Sequence, residues 1–87
     1  MYLAMIPDVH NLKKYPFRLI HKKMEKLSSE LGFVFIDLLP SLEGLKSEQV
    51  WVMNGDPHPG AMAHARMAKQ IVENLRLTPH KETAQNY

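Results

Sequence analysis

The residues of this sequence best suited to chemistry by type and spacing are Asp56 and His58, which stand two apart in Asn54-Gly55-Asp56-Pro57-His58-Pro59-Gly60-Ala61-Met62-Ala63-His64. A histidine that takes a proton from a nucleophile needs one ring nitrogen facing that group. A carboxylate on the other nitrogen fixes the tautomer and stabilises the imidazolium that forms. In a loop stiffened by two prolines, an aspartate two residues before a histidine can meet this need locally. The same pair also suits a plain structural role, with Asp56 bonding backbone amides and His58 packing. A third reading takes Asp56, His58 and His64 as a carboxylate and two imidazoles around zinc or iron. It requires His64, in the first turns of a following helix, to fold back onto the loop, so a packing or helix-surface role fits His64 better. No metal or other cofactor is expected.

Other candidates carry less. Asp8 and His10 follow an apolar stretch and could contact a substrate at the rim of a site, although turn capping by Asp8 and a solvent-exposed His10 are simpler. Asp37 is expected to bond loop amides. His21 and His80 carry no signal, and Trp51 and Met53, alternating with Val50 and Val52, are explained by packing.

These residues need elements to position them. Residues 2–6, Tyr-Leu-Ala-Met-Ile, are continuously apolar, which fits a strand buried on both faces, and Pro7-Asp8 ends it. Between residues 16 and 31, Phe17, Ile20, Met24, Leu27 and Leu31 recur at spacings of three and four, which predicts a helix burying that stripe. Pro16 suits the first turn and Gly32 the carboxyl-terminal cap. Residues 33–39 are again nearly all apolar and bounded by Gly32 and Pro40, predicting a second strand. Strand, helix and strand at this spacing describe a right-handed βαβ crossover in a parallel sheet. Active sites in such sheets gather at the carboxyl ends of the strands, which is where Asp8, His10 and Asp37 fall. Residues 40–49 read as a polar connection and 50–53 as a short extended segment entering an Asn54-Gly55 turn. A helix is predicted over 61–75 with Ala65, Ala68, Ile71, Val72 and Leu75 on its buried face, followed by a frayed tail over 77–87.

The block Asp56, His58, Pro59, then Ala63-His64 and an alanine-bearing helix, resembles the last conserved block of SGNH/GDSL-type ester hydrolases. Upstream, Ile6-Pro7-Asp8 and then Gly32 with Phe35-Ile36-Asp37-Leu38 look like the penultimate and last strands of that family's flavodoxin-like fold. The resemblance spans roughly residues 3 to 75, and only the Asp56 block is specific. It implies an α/β fold over residues 1–76: the carboxyl-terminal part of a three-layer domain, comprising a parallel βαβ unit and a last helix. It also implies that His58 is a general base and Asp56 the carboxylate orienting it, serving a serine that attacks an ester carbonyl and forms an acyl-enzyme. An oxyanion hole from earlier blocks would complete the site. Two positions depart from the family pattern: Asp56 stands two residues before His58 where three is common, and Gly60 replaces an asparagine that often follows the proline. Ser28, Ser29, Ser41 and Ser47 lack the glycine-aspartate-serine setting of the family's nucleophile, and Asn11 and Asn54 lack the setting of its oxyanion asparagine. The expectation is therefore a fragment, inactive alone, whose ester substrate requires an amino-terminal half. The alternatives are an O-acyltransferase, or a noncatalytic binding or oligomerisation module keeping only the fold.

Composition bounds these readings. Eighty-seven residues at 45% hydrophobic suit one small domain, and a chain this short buries only roughly 60% of its unfolded surface. An apolar stretch directly after Met1 suggests a chain opening inside an element, as a truncated domain would. Such a domain leaves a sheet edge through which it could form a homo-oligomer. No apolar run approaches the roughly 18 residues of a membrane span, and no charged-then-apolar leader is visible. Cysteine is absent, which excludes disulfides and a thiolate nucleophile. The net charge of +2 hides a cluster of Lys13, Lys14, Arg18, Lys22, Lys23 and Lys26. Without interleaved aromatics or a glycine loop it reads as a solvated helix face, and no nucleic-acid partner is expected.

Overall fold

A computed structural model of the chain describes residues 1–77. The order of elements is β1 (Tyr2–Met5), α1 (Arg18–Glu30), β2 (Val34–Asp37), a 3-10 turn (Leu39–Leu42), α2 (Ser47–Val50), β3 (Trp51–Met53), β4 (Asp56–Pro59) and α3 (Ala61–Leu77). The protein is a small mixed α/β fold, and residues 78–87 of the tail expected over 77–87 lie outside the described residues.

Strands β1 and β2 pair in parallel, with Tyr2 opposite Val34 and Met5 opposite Asp37. The expected strand–helix–strand crossover is therefore present. The ladder extends past the strands: the Val34 amide donates to Met1 O at 2.9 Å and the Leu38 amide to Met5 O at 3.0 Å. Helix α1 stops as its sequence dictates. Gly32 takes φ +79°, the Gly32 amide donates to Ser29 O at 3.1 Å, and the Phe33 amide donates to Ser28 O at 2.8 Å. This pair of bonds is a Schellman motif, and it depends on a glycine that tolerates the left-handed conformation.

The helix faces are a correction to the sequence reading. The stripe of Phe17, Ile20, Leu27 and Leu31 is exposed, and only Met24 of that set is half-buried, whereas His21 and Ser28 are the buried positions of α1. The cause is the width of the sheet. Helix α1 rests on β2, so the side directly above that strand is covered and the apolar stripe overhangs. In α3 the buried line is Ala63, Met67 and, partly, Gln70 and Ile71, while Ala65, Ala68 and Val72 face outward. That helix also runs to Leu77, two residues past its expected end and into the first position assigned to the tail.

The core gathers beyond the carboxyl ends of β1 and β2. Val9, Leu12 and Tyr15 from the loop after β1 meet Leu38, Leu39 and Leu42, Val50 from α2, and Ala63 and Met67 from α3. The stretch expected to be a polar connection thus supplies Leu42, which is fully enclosed. Leu39 and Leu42, three apart in a 3-10 turn, align on one side and point inward together. The loops at this end of the sheet are consequently its best-packed part.

Candidate functional site

Asp56 and His58 lie in a strand, where a loop was expected. Asn54-Gly55 turns the chain, with Gly55 at φ +83°, and β4 returns antiparallel to β3 with Met53 opposite Asp56 and Trp51 opposite Pro59. Two prolines are tolerated because β4 is an edge strand of a two-stranded sheet. The extended backbone explains the pair: residues two apart in a strand project from the same side. The Asp56 carboxylate accordingly accepts a hydrogen bond from His58 Nδ1. The His58 side chain is 79% exposed and that of Asp56 40%, so the dyad stands at the surface with Nε2 as the remaining ring nitrogen.

Gly60 fixes this hairpin to the body. Its amide donates to Val50 O at 2.7 Å. A Cβ at this position would lie 2.8 Å from Trp51 O and 2.9 Å from Val52 Cα, closer than real contacts allow. Glycine at this position thus answers a tight crossing of backbone on backbone. On the other side, Trp51 Nε1 donates to Val9 O at 2.7 Å, which ties β3 to the loop leaving β1. The hairpin is thereby fastened to the carboxyl-end rim of the parallel pair.

Asp8 and His10 stand on that loop, on either side of Val9. The Asp8 carboxylate accepts from the His10 amide at 2.9 Å and from His10 Nδ1 at 2.8 Å. The bond from the His10 amide is the main cause holding the Asp8 carboxyl below its ordinary range. Partial burial opposes the shift, and the hydrogen bond and charge of the His10 ring add to it. Asp8 is therefore a turn cap as well as the partner of an exposed imidazole. His64 lies exposed on α3. Among the described residues, no group of three or more histidine, aspartate or glutamate side chains comes together to hold a metal ion.

A second acid–base constellation escaped the sequence reading. His21, 4% exposed, places Nδ1 at 2.8 Å from Asp37 Oδ1 and Nε2 at 2.7 Å from the Tyr15 hydroxyl. Tyr15 in turn accepts from the Asp8 amide at 3.2 Å. Asp37 also accepts from the Leu39 amide at 3.0 Å, the loop-amide bond its position suggested. Burial pushes the Tyr15 phenol up, and the charges of Asp8 and Asp37 reinforce this, against the Asp8 amide bond and the Arg18 charge. The missed signal was a polar residue, His21, placed between Phe17 and Met24 on an amphipathic helix, with an aspartate closing the strand beneath it.

The basic cluster from Lys13 to Lys26 is exposed throughout. Among the described residues, no helix is long and apolar enough to cross a membrane. No family model, curated protein or solved structure matches the chain.

Proposed function

We propose that this chain is the acid–base portion of a serine ester hydrolase of the SGNH/GDSL type, with His58 as general base and Asp56 as its orienting carboxylate. One observation carries the reading: the Asp56 carboxylate bonds His58 Nδ1 on an exposed strand fastened to the rim where parallel strands end. In that tautomer Nε2 takes the proton of a serine hydroxyl as its oxygen attacks an ester carbonyl, and the Asp56 charge stabilises the imidazolium. Nε2–H then protonates the departing alcohol. Water, or an acceptor alcohol in an acyltransferase, repeats the sequence on the acyl-serine and frees the acid or the new ester.

The nucleophile in this proposal comes from polypeptide other than the described residues. Ser28 and Ser47 are buried, Ser47 Oγ accepts from the Leu12 amide, and Ser41 Oγ donates to Leu38 O. The exposed Ser29 lies in the last turn of α1, which leads into the amino-terminal end of β2 rather than to the His58 rim. Further strands and helices of a three-layer flavodoxin-like domain would cover Ile20, Leu27, Leu31 and Val34 and the outer edges of β1 and β2, which no strand pairs among the described residues. In the chain by itself, that surface is proposed to drive self-association, and a monomer by light scattering at all concentrations would overturn this part.

A fluorophosphonate probe tests the catalytic assignment. The 87-residue chain is expected to stay unlabelled. When it is joined to a segment bearing a glycine-aspartate-serine block, that serine is expected to be labelled and His58→Ala to abolish both labelling and short-chain ester cleavage. Undiminished labelling and cleavage in His58→Ala would end the reading.

A further inference from the structure

The buried chain of Tyr15, His21 and Asp37 runs from beneath the parallel pair to the rim that carries both exposed Asp–His pairs. With a neutral His21 and an ionised Asp37, its hydrogen bonds have only one consistent direction. The Asp8 amide can only donate, so the Tyr15 oxygen accepts there. An ionised Asp37 only accepts, so His21 Nδ1 carries a proton toward it. In a neutral imidazole Nε2 is then bare and accepts the Tyr15 O–H. Each donor finds an acceptor in this arrangement. With both His21 nitrogens protonated, the Tyr15 oxygen would accept twice, and its own hydrogen would have no acceptor recorded among the described residues.

The chain of contacts does not stop at Tyr15. The residue after Asp8 is Val9, which is buried and whose carbonyl holds Trp51 Nε1. Trp51 sits opposite Pro59, next to His58. The same loop is secured a third time where the Leu12 amide donates to Ser47 Oγ at 2.8 Å. We propose that His21, neutral and protonated on Nδ1, is a positioning residue: through Tyr15 it fixes the Asp8–His10 loop, and through Val9 and Trp51 it seats the hairpin bearing His58. The role as an aid to catalysis rests on the reading of His58 as a base, but the positioning itself does not.

Nuclear magnetic resonance on the isotope-labelled 87-residue chain tests it without any ester. In the unsubstituted protein at neutral pH, His21 is expected to carry its proton on Nδ1 alone. A proton on Nε2, alone or together with Nδ1, would overturn the proposal. In Tyr15→Phe, the Asp8 amide and the Trp51 indole N–H are expected to exchange roughly tenfold faster. The His58 ring signals should shift, and the Ile36 amide in β2 should keep its rate. Unchanged Asp8, Trp51 and His58 signals would also overturn it. His21→Gln, which can donate to Asp37 and accept from Tyr15, is expected to restore most of the protection that His21→Phe loses. Equal behaviour of the two would reduce His21 to packing. Should a variant fail to fold, the tautomer still decides, and neither result depends on whether His58 serves an esterase.

Discussion

Asp8 and Asp56 each stand two residues before a histidine and accept a hydrogen bond from its Nδ1, yet the backbone beneath them differs. Asp56 meets His58 because a strand projects both to one side. Asp8 meets His10 across a turn and also holds the His10 amide. That amide is the leading reason the Asp8 carboxyl sits below its ordinary range. A carboxyl whose pKa is lowered by folding is stabilising above its unfolded pKa, and the contribution fades as pH falls through the lower folded value. Urea melts across the acid range should therefore show the difference between the parent chain and Asp8→Ala shrinking below the ordinary carboxylate pKa. A constant difference would show that the lowered pKa has no energetic weight. Gly60 makes a steric prediction at the same scale. Gly60→Ala forces a methyl against Trp51 O and Val52 Cα, which should cost about 1–3 kcal/mol, read as a lower urea midpoint.

At the scale of elements, α1 separates apolar pattern from burial. If the stripe overhangs β2, Leu27→Lys should change the stability of this chain by less than about 0.5 kcal/mol. Leu42→Ala, in a segment that reads as polar connection, should cost about 2–5 kcal/mol. Denaturant melts of the two variants at low protein concentration check the contrast. The elements themselves were legible because local signals set them: a glycine cap ends α1, prolines bound the parallel strands, and Asn54-Gly55 turns the hairpin. The faces were less legible, since a helix buries whatever lies above its neighbour, and no local pattern encodes how wide that neighbour is. Strand β4 was hidden because two prolines in four residues argue against any strand except an edge. The site was legible where its partners are two residues apart, as in Asp56–His58 and Asp8–His10. It was illegible where they are not: Tyr15 and His21 are six apart, and Asp37 lies sixteen beyond His21. Only the crossover that stacks α1 on β2 brings those three together.

Across the whole molecule, rigidity follows the core, and the core lies at one end of the sheet. Amides that tie the rim together, Leu38 to Met5 O and Gly60 to Val50 O, belong to the enclosed end. The Val34 amide, bonded to Met1 O, belongs to the opposite end, where Met1, Tyr2 and Val34 are exposed. Native-state hydrogen exchange should therefore be slowest at Leu38 and Gly60 and markedly faster at Val34. The reverse order would mean that the amino-terminal end of the parallel ladder, rather than the rim, is the last part to open. The bond from Trp51 to Val9 adds a practical consequence, because Trp51 is the single tryptophan in the sequence. Its fluorescence reports on one joint alone. A red-shifted emission with an unaltered far-ultraviolet dichroism spectrum would mark a hairpin that has lifted away while the helices persist, so the seating of His58 can be followed by light in real time.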